Sequence, residues 1–264
     1  MRAVILSAGQ GSRLLPFTTD LPKCLVRVGG RSLLDWQLDA LAASGVEEVT
    51  VVVGFQHRKV EAALARRADP RLTTVFNPFH KVADNLASVW MARDALAGGG
   101  LLLNGDTLVS PATIISLIAS AMAPVTVTVS RKTAYDADDM KVSLDGGRLT
   151  AIGKSLPAER TDAESIGLLA FSESGARRFL REVESVLDEP EGTSRWYLSA
   201  VDRIAPEGCV AVMPTEAEWC EVDRPEDLAA ARALTRSWAA RAERPGWTAR
   251  SPGADRSHGA SAQG

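Results

Sequence analysis

The 264-residue chain is 45% apolar and has a formal charge of −3 at pH 7, which predicts one large domain with a substantial core and argues against nucleic-acid binding. The first apolar run, residues 3–6, ends at a glycine loop, and no stretch approaches the roughly 20 apolar residues of a membrane span, so we expect neither a signal peptide nor a membrane partner. The three cysteines form no Cys-x-x-Cys pair, and the three histidines have no zinc-ligand spacing. The expected location is therefore the reducing cytoplasm.

Apolar runs alternate with helical patterns through the first half of the chain. The alternation predicts strands at residues 3–6, 48–53, 72–76, 101–103 and 125–129, and helices at residues 33–43, 58–67, 86–96 and 111–121. Such a βαβ series builds a mostly parallel sheet that helices cover on both faces. We therefore expect an α/β fold with a doubly wound, mostly parallel, Rossmann-like sheet, whose ligands bind at the carboxyl ends of the strands.

The pattern changes after Met140. Short strands at residues 141–144, 147–152 and 166–171 predict a small antiparallel insertion of about residues 131–172. The remaining elements are helices at residues 174–186, 195–204 and 225–241, and strands at residues 210–212 and 219–222. One domain of residues 1–242 results. Residues 243–264 are too poor in apolar side chains to pack a core, and we expect them to form a disordered tail.

The first strand opens into a glycine loop that carries two cations. Gly9 and Gly11 allow backbone amides to approach a polyphosphate closely. Arg13 and Lys23 add the positive charge that amides lack. The loop therefore predicts a nucleoside triphosphate ligand.

The spacing of the loop disfavours two other glycine-loop ligands. A dinucleotide fingerprint requires a third glycine, where this chain has Leu14, and a continuing helix, where it has Pro16. A P-loop requires Gly-Lys-Ser/Thr, which Ser12-Arg13-Leu14 does not provide. A dinucleotide-dependent oxidoreductase is also disfavoured because no acid ends the second strand, where Gly54 stands.

The order Gly-x-Gly-Ser-Arg-Leu, followed by Pro-Lys, resembles the signature of the sugar-nucleotide pyrophosphorylase family of nucleotidyltransferases. Within that family, residues 1–235 are most similar to the small cytidylyltransferases that activate phosphocholine and related phospho-alcohols. The resemblance implies transfer of a nucleotidyl group, from CTP in preference to other triphosphates, to a small phosphorylated alcohol, with release of pyrophosphate. It also implies that the start of the chain binds the nucleotide through Leu6, Ala8, Gly9, Gly11 and Ser12.

Two acidic segments are expected to complete the catalytic site. Asp106 follows the apolar run 101–103, and Asp223 lies in a segment that resembles the family pattern W-x-D/E-V/I-D-T/R-P-E-D. The resemblance implies that both carboxylates bind Mg²⁺, which prefers oxygen ligands. Glu221 shares a strand face with Asp223, because Val222 separates them. An acidic cluster at a helix N-terminus is the alternative explanation for this segment. The expected catalytic residues are Arg13, Lys23, Asp106 and Asp223.

The reaction needs no nucleophilic side chain. A phosphomonoester has a second pKa of about 6, so its oxygen is already anionic at neutral pH. The resemblance implies that Arg13 and Lys23 neutralise the departing pyrophosphate. Catalysis is then expected to rest on positioning and on electrostatic stabilisation.

Residues 77–88 resemble the cytidylyltransferase segment N…N-N-x-x-S, with Asp84 in place of the first asparagine of the pair. We therefore expect Asn77, Asn85 and Ser88 in the base pocket, where amides can hydrogen bond to the edge of a pyrimidine. Asp84 and Asn85 also suit the N-cap of the next helix. CTP is the predicted nucleotide, although the amides alone would also suit UTP.

The acceptor phosphate is expected at Lys154, which matches the acceptor lysine of the family, and at Lys141. Gly153 stands where hexose-phosphate enzymes often have an acid, which favours an acceptor other than a sugar. An aromatic and acidic cage for a cationic head group is a further hypothesis, and a core role for its aromatic residues is the alternative. The residues of this cage would be Trp196, Tyr197, Trp219 and Glu164.

Two other functions remain open at this point. The chain could be a sugar-1-phosphate uridylyl-, thymidylyl- or guanylyltransferase, or a regulatory subunit that binds a nucleotide without turnover. The second is disfavoured because both loop cations and both acids are present. The expected partners are a nucleoside triphosphate and a small phosphorylated acceptor, and the chain is also compatible with a homodimer.

Overall fold

The computed structural model describes residues 1–242, and the predicted tail of residues 243–264 lies outside the described residues. The strands are β1 (Arg2–Ser7), β2 (Arg27–Val28), β3 (Arg31–Ser32), β4 (Glu48–Val53), β5 (Leu72–Phe76), β6 (Gly100–Asn104), β7 (Thr107–Leu108), β8 (Val125–Ser130), β9 (Lys141–Asp145), β10 (Arg148–Gly153), β11 (Ala163–Phe171), β12 (Val210–Pro214) and β13 (Cys220–Glu221). The helices are α1 (Leu33–Ala43), α2 (His57–Arg67), α3 (Asn85–Met91), α4 (Arg93–Leu96), α5 (Pro111–Ser120), α6 (Glu173–Leu187), α7 (Leu198–Ile204) and α8 (Asp227–Ala242).

Nine strands form the main sheet, in the order β5-β4-β1-β6-β11-β8-β12-β10-β9. The strands β5, β4, β1 and β6 are parallel, and β12 is parallel to β8. The strand β11 runs antiparallel to both of its neighbours, and β10 is antiparallel to β12 and β9. The predicted α/β fold is confirmed, and its parallel part is the half that carries the glycine loop.

The strand β11 differs from the expectation. Residues 166–171 were expected in the antiparallel insertion, but β11 lies in the centre of the main sheet, between β6 and β8. All nine of its residues are buried, as is typical of a strand covered on both faces. Its first residues also pair with β9. The insertion is therefore connected to the centre of the sheet through β11, and its other two strands, β10 and β9, are the last two in the strand order.

Helices cover both faces of the sheet, and alternate residues of β1 show the two sides. Val4 packs in a core cluster with α3, α6 and α7, whereas Ile5 packs in a second cluster with α1, α2 and α5. The predicted helix 33–43 is confirmed as α1, where Ser32 and Asp35 form a capping box. The predicted helix 86–96 is interrupted at Ala92 and forms α3 and α4. None of the helices in residues 1–242 is long and apolar enough to cross a bilayer.

A third apolar cluster positions the segments that carry the charged residues. It joins Leu14 of the glycine loop, Leu108 of β7, Val222 after β13, and Leu228 of α8. Each of these four side chains is almost fully buried. The short strand β13 pairs with β7 rather than with the main sheet. The segment after β13 is therefore fixed against the glycine loop by apolar packing.

Candidate active site

The glycine loop begins where β1 ends and is shaped around Lys23. Gly11 has a φ of +77°, in the left-handed region that favours glycine. A Cβ atom at this position would lie 2.8 Å from Cβ of Lys23. The hydroxyl of the buried Thr18 donates to the carbonyl oxygen of Gly11 at 2.7 Å. Gly11 is therefore required both by its backbone conformation and by the lysine that passes over it.

Gly9 has a different role in the loop. A Cβ atom at Gly9 would meet no protein atom within 4 Å, and the residue lines the cavity described below. The protein itself therefore has room for a side chain here. A side chain would instead fill space that a ligand could occupy.

Three carboxylates meet opposite the loop. Asp106 follows β6, Glu221 is the last residue of β13, and Asp223 lies two residues further on; one oxygen of each is within 4.8 Å of the others. The amide of Val222 donates to the carbonyl oxygen of Asp106 at 3.0 Å, which holds the two segments together. The Asp227 carboxylate accepts from the amide of Asp223 at 2.8 Å and so orders the turn.

Both expected cations lie among these carboxylates. Nζ of Lys23 is 2.6 Å from Asp106 and 2.7 Å from Asp223, and a guanidinium nitrogen of Arg13 is also 2.7 Å from Asp223. Burial lowers the pKa of Lys23, but the two carboxylates outweigh it, so the pKa is raised and Lys23 stays charged. Loss of water around its carboxylate and the nearby charge of Asp106 raise the pKa of Glu221.

The carboxylates suit a divalent metal ion. Oδ1 of Asp106 is buried and accepts no hydrogen bond from residues 1–242, and such an orphaned oxygen is costly unless a cation binds it. Three carboxylates within reach of one point are the oxygen donors that Mg²⁺ prefers. Asp106 and Asp223 were predicted as ligands. Glu221 was predicted on the same strand face as Asp223 but was not assigned to the metal. The pairing of β13 with β7 places its carboxylate close to that of Asp106.

A cavity of about 830 Å³ opens over this cluster. A second cavity of about 430 Å³ adjoins it and contains Ala8 and Ser88, together with Leu6, Gly9 and Asn85. His80 also lines the second cavity, and no sequence signal pointed to it. The predicted site residues that line the first cavity are Leu6, Gly9, Gly11, Ser12, Arg13, Lys23, Asn85, Asp106, Lys154, Glu164, Trp196 and Asp223.

Two predicted site residues line neither cavity. Asn77 is 1% exposed; its amide nitrogen donates to Oγ of Ser88 at 3.0 Å, and its oxygen accepts from the amide of Phe79 at 2.9 Å. Nζ of the buried Lys141 donates to the carbonyl oxygen of Lys154 at 2.7 Å. Asn77 was expected to contact a base and Lys141 a phosphate, and in the structure both side chains form internal hydrogen bonds. Both residues hold neighbours that do line the cavities.

The predicted aromatic cage is reduced to one exposed ring. Trp196 lies beneath Nζ of Lys154, which is 4.5 Å from the centre of its ring. Tyr197 is buried, and its hydroxyl donates to Oδ1 of Asn104 at 3.1 Å. Trp219 lines a separate groove and packs against the core. Tyr197 and Trp219 therefore pack in or against the core, and Tyr197 also lines the first cavity.

Glu164 lines the first cavity and belongs to an ion-pair network. Nζ of Lys132 is 2.9 Å from Glu164 and 2.7 Å from Asp139. Burial raises the pKa of Glu164 to about 7 despite the ammonium group beside it. Glu164 therefore changes its protonation state near neutral pH.

Comparisons with known proteins agree with this geometry. The chain is 28% identical over 231 residues to the 2-aminoethylphosphonate cytidylyltransferase of Lancefieldella rimae, covering 86% of this chain and 90% of that protein. It is 32% identical over 247 residues to the N-acetylmuramate alpha-1-phosphate uridylyltransferase of Caulobacter vibrioides, covering 88% and 95%. The solved structure of CTP:phosphocholine cytidylyltransferase from Streptococcus pneumoniae has the same fold, with a TM-score of 0.73 at 18% identity over 89% and 98% of the two chains.

The resemblance that the glycine loop indicated is confirmed by a match along most of the chain. Residues 3–189 match the MobA-like NTP transferase domain. This range contains the glycine loop, Asp106 and the whole of β11. The chain therefore belongs to the family of MobA-like NTP transferases.

Proposed function

We propose that this protein transfers a cytidylyl group from CTP to a small acceptor that bears a phosphate or phosphonate, with release of pyrophosphate. The observation that carries the proposal is the position of Lys23, between two carboxylates and directly over the glycine loop. One bound triphosphate could therefore contact the cation, the loop and a metal ion held by the carboxylates. The relative named as a 2-aminoethylphosphonate cytidylyltransferase supports this choice of nucleotide and acceptor class.

The chain's own residues would act by positioning and by neutralising charge. Backbone amides from Gly9 to Ser12 would orient the triphosphate, and Arg13 and Lys23 would neutralise the departing pyrophosphate. The acceptor needs no general base, because a phosphomonoester with a second pKa of about 6 is already anionic. Holding it in line with the α-phosphate would lower the entropic part of the barrier.

Asp106, Glu221 and Asp223 would hold Mg²⁺. When bound, Mg²⁺ would stabilise negative charge on the phosphoryl oxygens. Asp223 would also fix Lys23 and Arg13 in the cavity, since it contacts both cations, and Asp106 contacts Lys23. These residues therefore have a positioning role in addition to metal binding.

The second cavity is the proposed base pocket. It is bounded by Ala8 and Gly9 of the loop and by Asn85 and Ser88 of α3. Oδ1 of Asn85 accepts from the amide of Tyr197 at 2.9 Å, which fixes the orientation of its side chain. A fixed amide discriminates between pyrimidines better than a mobile one, because the wrong base leaves a buried polar group unpaired.

The acceptor would occupy the part of the first cavity that Lys154 lines. Lys154 lies there over the ring of Trp196, and Gly153 provides no acid to bind sugar hydroxyls. Glu164 and Trp196 would bring a carboxylate and an aromatic face close to a cationic head group. A homodimer and a cytoplasmic location stay predictions.

A screen for pyrophosphate release tests the proposal. The four common nucleoside triphosphates would be combined with phosphocholine, 2-aminoethylphosphonate, inositol phosphate and hexose 1-phosphates. We expect release with CTP and a non-sugar acceptor. Release with UTP and a sugar 1-phosphate would instead support the second candidate, a uridylyltransferase, which the Caulobacter relative favours. No release with any pair would refute the proposed activity.

A further inference from the structure

The carboxylate of Asp138 meets three cations from three separate parts of the chain. A guanidinium nitrogen of Arg13 lies 3.4 Å from Oδ2, and Nζ of Lys154 lies 3.6 Å from Oδ1. Arg224, which precedes α8, also donates to Oδ2. Asp138 belongs to the segment between β8 and β9, residues 131–140, and lines the first cavity. Asp138 thus lies where three cations converge. They come from the glycine loop, from the residue after β10 and from the segment before α8.

The stability of the fold does not require this cluster. The side chain of Asp138 is 47% exposed and that of Arg224 is 56% exposed, and ion pairs so exposed contribute little. The turn itself is held by other bonds: the amide of Asp138 donates to Oδ1 of Asp136 at 3.0 Å, and the amide of Asp136 donates to Asp139 at 2.7 Å. The segment can therefore keep its shape without the Asp138 charge.

Three cations directed at one anionic group form the arrangement that binds a phosphorus oxyanion. Two of them, Arg13 and Lys154, are expected from the sequence to bind phosphate. The hydrogen bond from Arg224 lowers the pKa of Asp138, so the carboxylate is charged at neutral pH. It offers two anionic oxygens to these cations, as a phosphate or phosphonate group would.

We propose that Arg13, Lys154 and Arg224 form a binding site for a phosphorus oxyanion, that Asp138 occupies this site as an internal ligand, and that the incoming anion displaces it. The proposal assigns Arg224 to phosphate binding and makes Asp138 an internal competitor. It rests on the proposed function for the identity of the anion, which is either the acceptor phosphate or the terminal phosphates of the nucleotide.

Calorimetric titration with inorganic phosphate and with pyrophosphate tests the role of Asp138 without any turnover. Asp138→Asn removes the competitor, and we expect about twofold to fivefold tighter binding of one of the two anions, the range for a partly exposed ion pair. Asp136→Asn is the matched control, because it makes the same charge change on the same turn and its amide oxygen can still accept from the amide of Asp138. A larger gain for phosphate identifies the acceptor site, and a larger gain for pyrophosphate identifies the nucleotide site.

The same titrations test Arg224. In the Asp138→Asn background, Arg224→Gln should weaken binding of the same anion about threefold or more. Arg131→Gln is the control, because Arg131 is an exposed arginine of the segment 131–140 that does not line the first cavity. The proposal is overturned if Asp138→Asn binds both anions no more tightly than Asp136→Asn, or if Arg224→Gln behaves as Arg131→Gln does.

The outcome is separable from that of the proposed function. Affinities that shift as expected, in a protein that fails every combination of the pyrophosphate screen, would retain the anion site and remove the enzyme assignment. If the protein turns over CTP but its Asp138→Asn variant binds neither anion more tightly, the enzyme assignment is retained and the anion site is removed.

Discussion

Nζ of Lys23 lies 2.6 Å from Oδ2 of Asp106, although 83 residues separate them in the chain. The contact exists because the glycine loop and the end of β6 emerge side by side from parallel strands. Gly11 leaves space for the stem of the lysine, and the apolar cluster around Val222 brings Asp223 to its other side. One ammonium group thus joins the loop to the carboxylates.

The first prediction is that Gly11→Ala destabilises the protein by on the order of 2–4 kcal/mol. About 1–2 kcal/mol follows from an alanine with a φ in the left-handed region, and the remainder from the new Cβ atom against Lys23. Urea unfolding measures the change. Activity should fall as well, because the clash moves Lys23.

Two other glycines serve as controls for this prediction. Gly30→Ala, at a φ of +84° and with no atom within 4 Å of the new Cβ, isolates the backbone contribution. Gly9→Ala has neither problem and should leave the melting temperature unchanged while raising KM for the nucleotide about tenfold, because its methyl group projects into the cavity. Equal stability of the Gly11 and Gly30 variants would show that the lysine contact has no energetic effect.

The second prediction concerns the carboxylate cluster. Asp106→Asn and Asp223→Asn should each lower the rate of pyrophosphate release by on the order of 10² or more, because each removes a charged ligand from a metal that supplies several kcal/mol. Glu221→Gln should weaken Mg²⁺ binding in a direct calorimetric titration. Glu218→Gln, which removes an acid from the same segment outside the cluster, is the control. Rates near the wild type for Asp106→Asn at saturating Mg²⁺ would contradict the assignment.

The third prediction separates the two asparagines of the expected base pocket. Asn77→Ala should cost about 1–3 kcal/mol of stability, since it leaves Ser88 and the amide of Phe79 unpaired. The same substitution should have little effect on the ratio of kcat/KM for CTP to kcat/KM for UTP. Asn85→Ala should narrow that ratio, because Asn85 lines the second cavity. A reversed pattern, with nucleotide choice altered only by Asn77→Ala, would place the base elsewhere.

The fourth prediction is a pH dependence of stability that arises from Glu164. Burial raises its pKa in the folded protein from the ordinary 4.5 to about 7, so protonation favours the folded state. Its contribution to the free energy of unfolding is present below the ordinary pKa and decreases as pH rises to about 7. As pH rises from about 5 to about 8, the free energy of unfolding of Glu164→Gln should therefore increase by about 2 kcal/mol relative to that of the wild type, as measured by urea unfolding.

Asp139→Asn is the matched control, because Asp139 shares Lys132 with Glu164. Burial raises the pKa of Asp139, but its bond to Lys132 outweighs this, so the pKa lies below the ordinary 3.8. Asp139 stays charged over the same pH interval, and the stability difference between Asp139→Asn and the wild type should vary with pH less than that of Glu164→Gln, because it changes only through the effect of the Asp139 charge on the pKa of Glu164. A constant stability difference for Glu164→Gln would show that Glu164 does not titrate there.

Local sequence patterns were sufficient to predict much of the fold and the glycine loop. The bounds of β4, β5 and α1 agree with the predicted ranges 48–53, 72–76 and 33–43. Apolar periodicity and a capping residue act within a few residues of the chain, so one sequence reveals them. The loop from Gly9 to Lys23 was recognisable for the same reason: its glycines and cations are close together in the sequence.

Side-chain partners from distant segments could not be read in this way. The antiparallel pattern of residues 166–171 was correct, but the position of β11 between β6 and β8 depends on strand order, which local periodicity does not encode. The amide of Asn77 suits a base edge or an internal partner equally well, and the internal partner, Ser88, is supplied by the approach of α3. Asp138 contacts Arg13 and Arg224 because three separate segments reach one cavity, and their approach depends on packing across the whole domain.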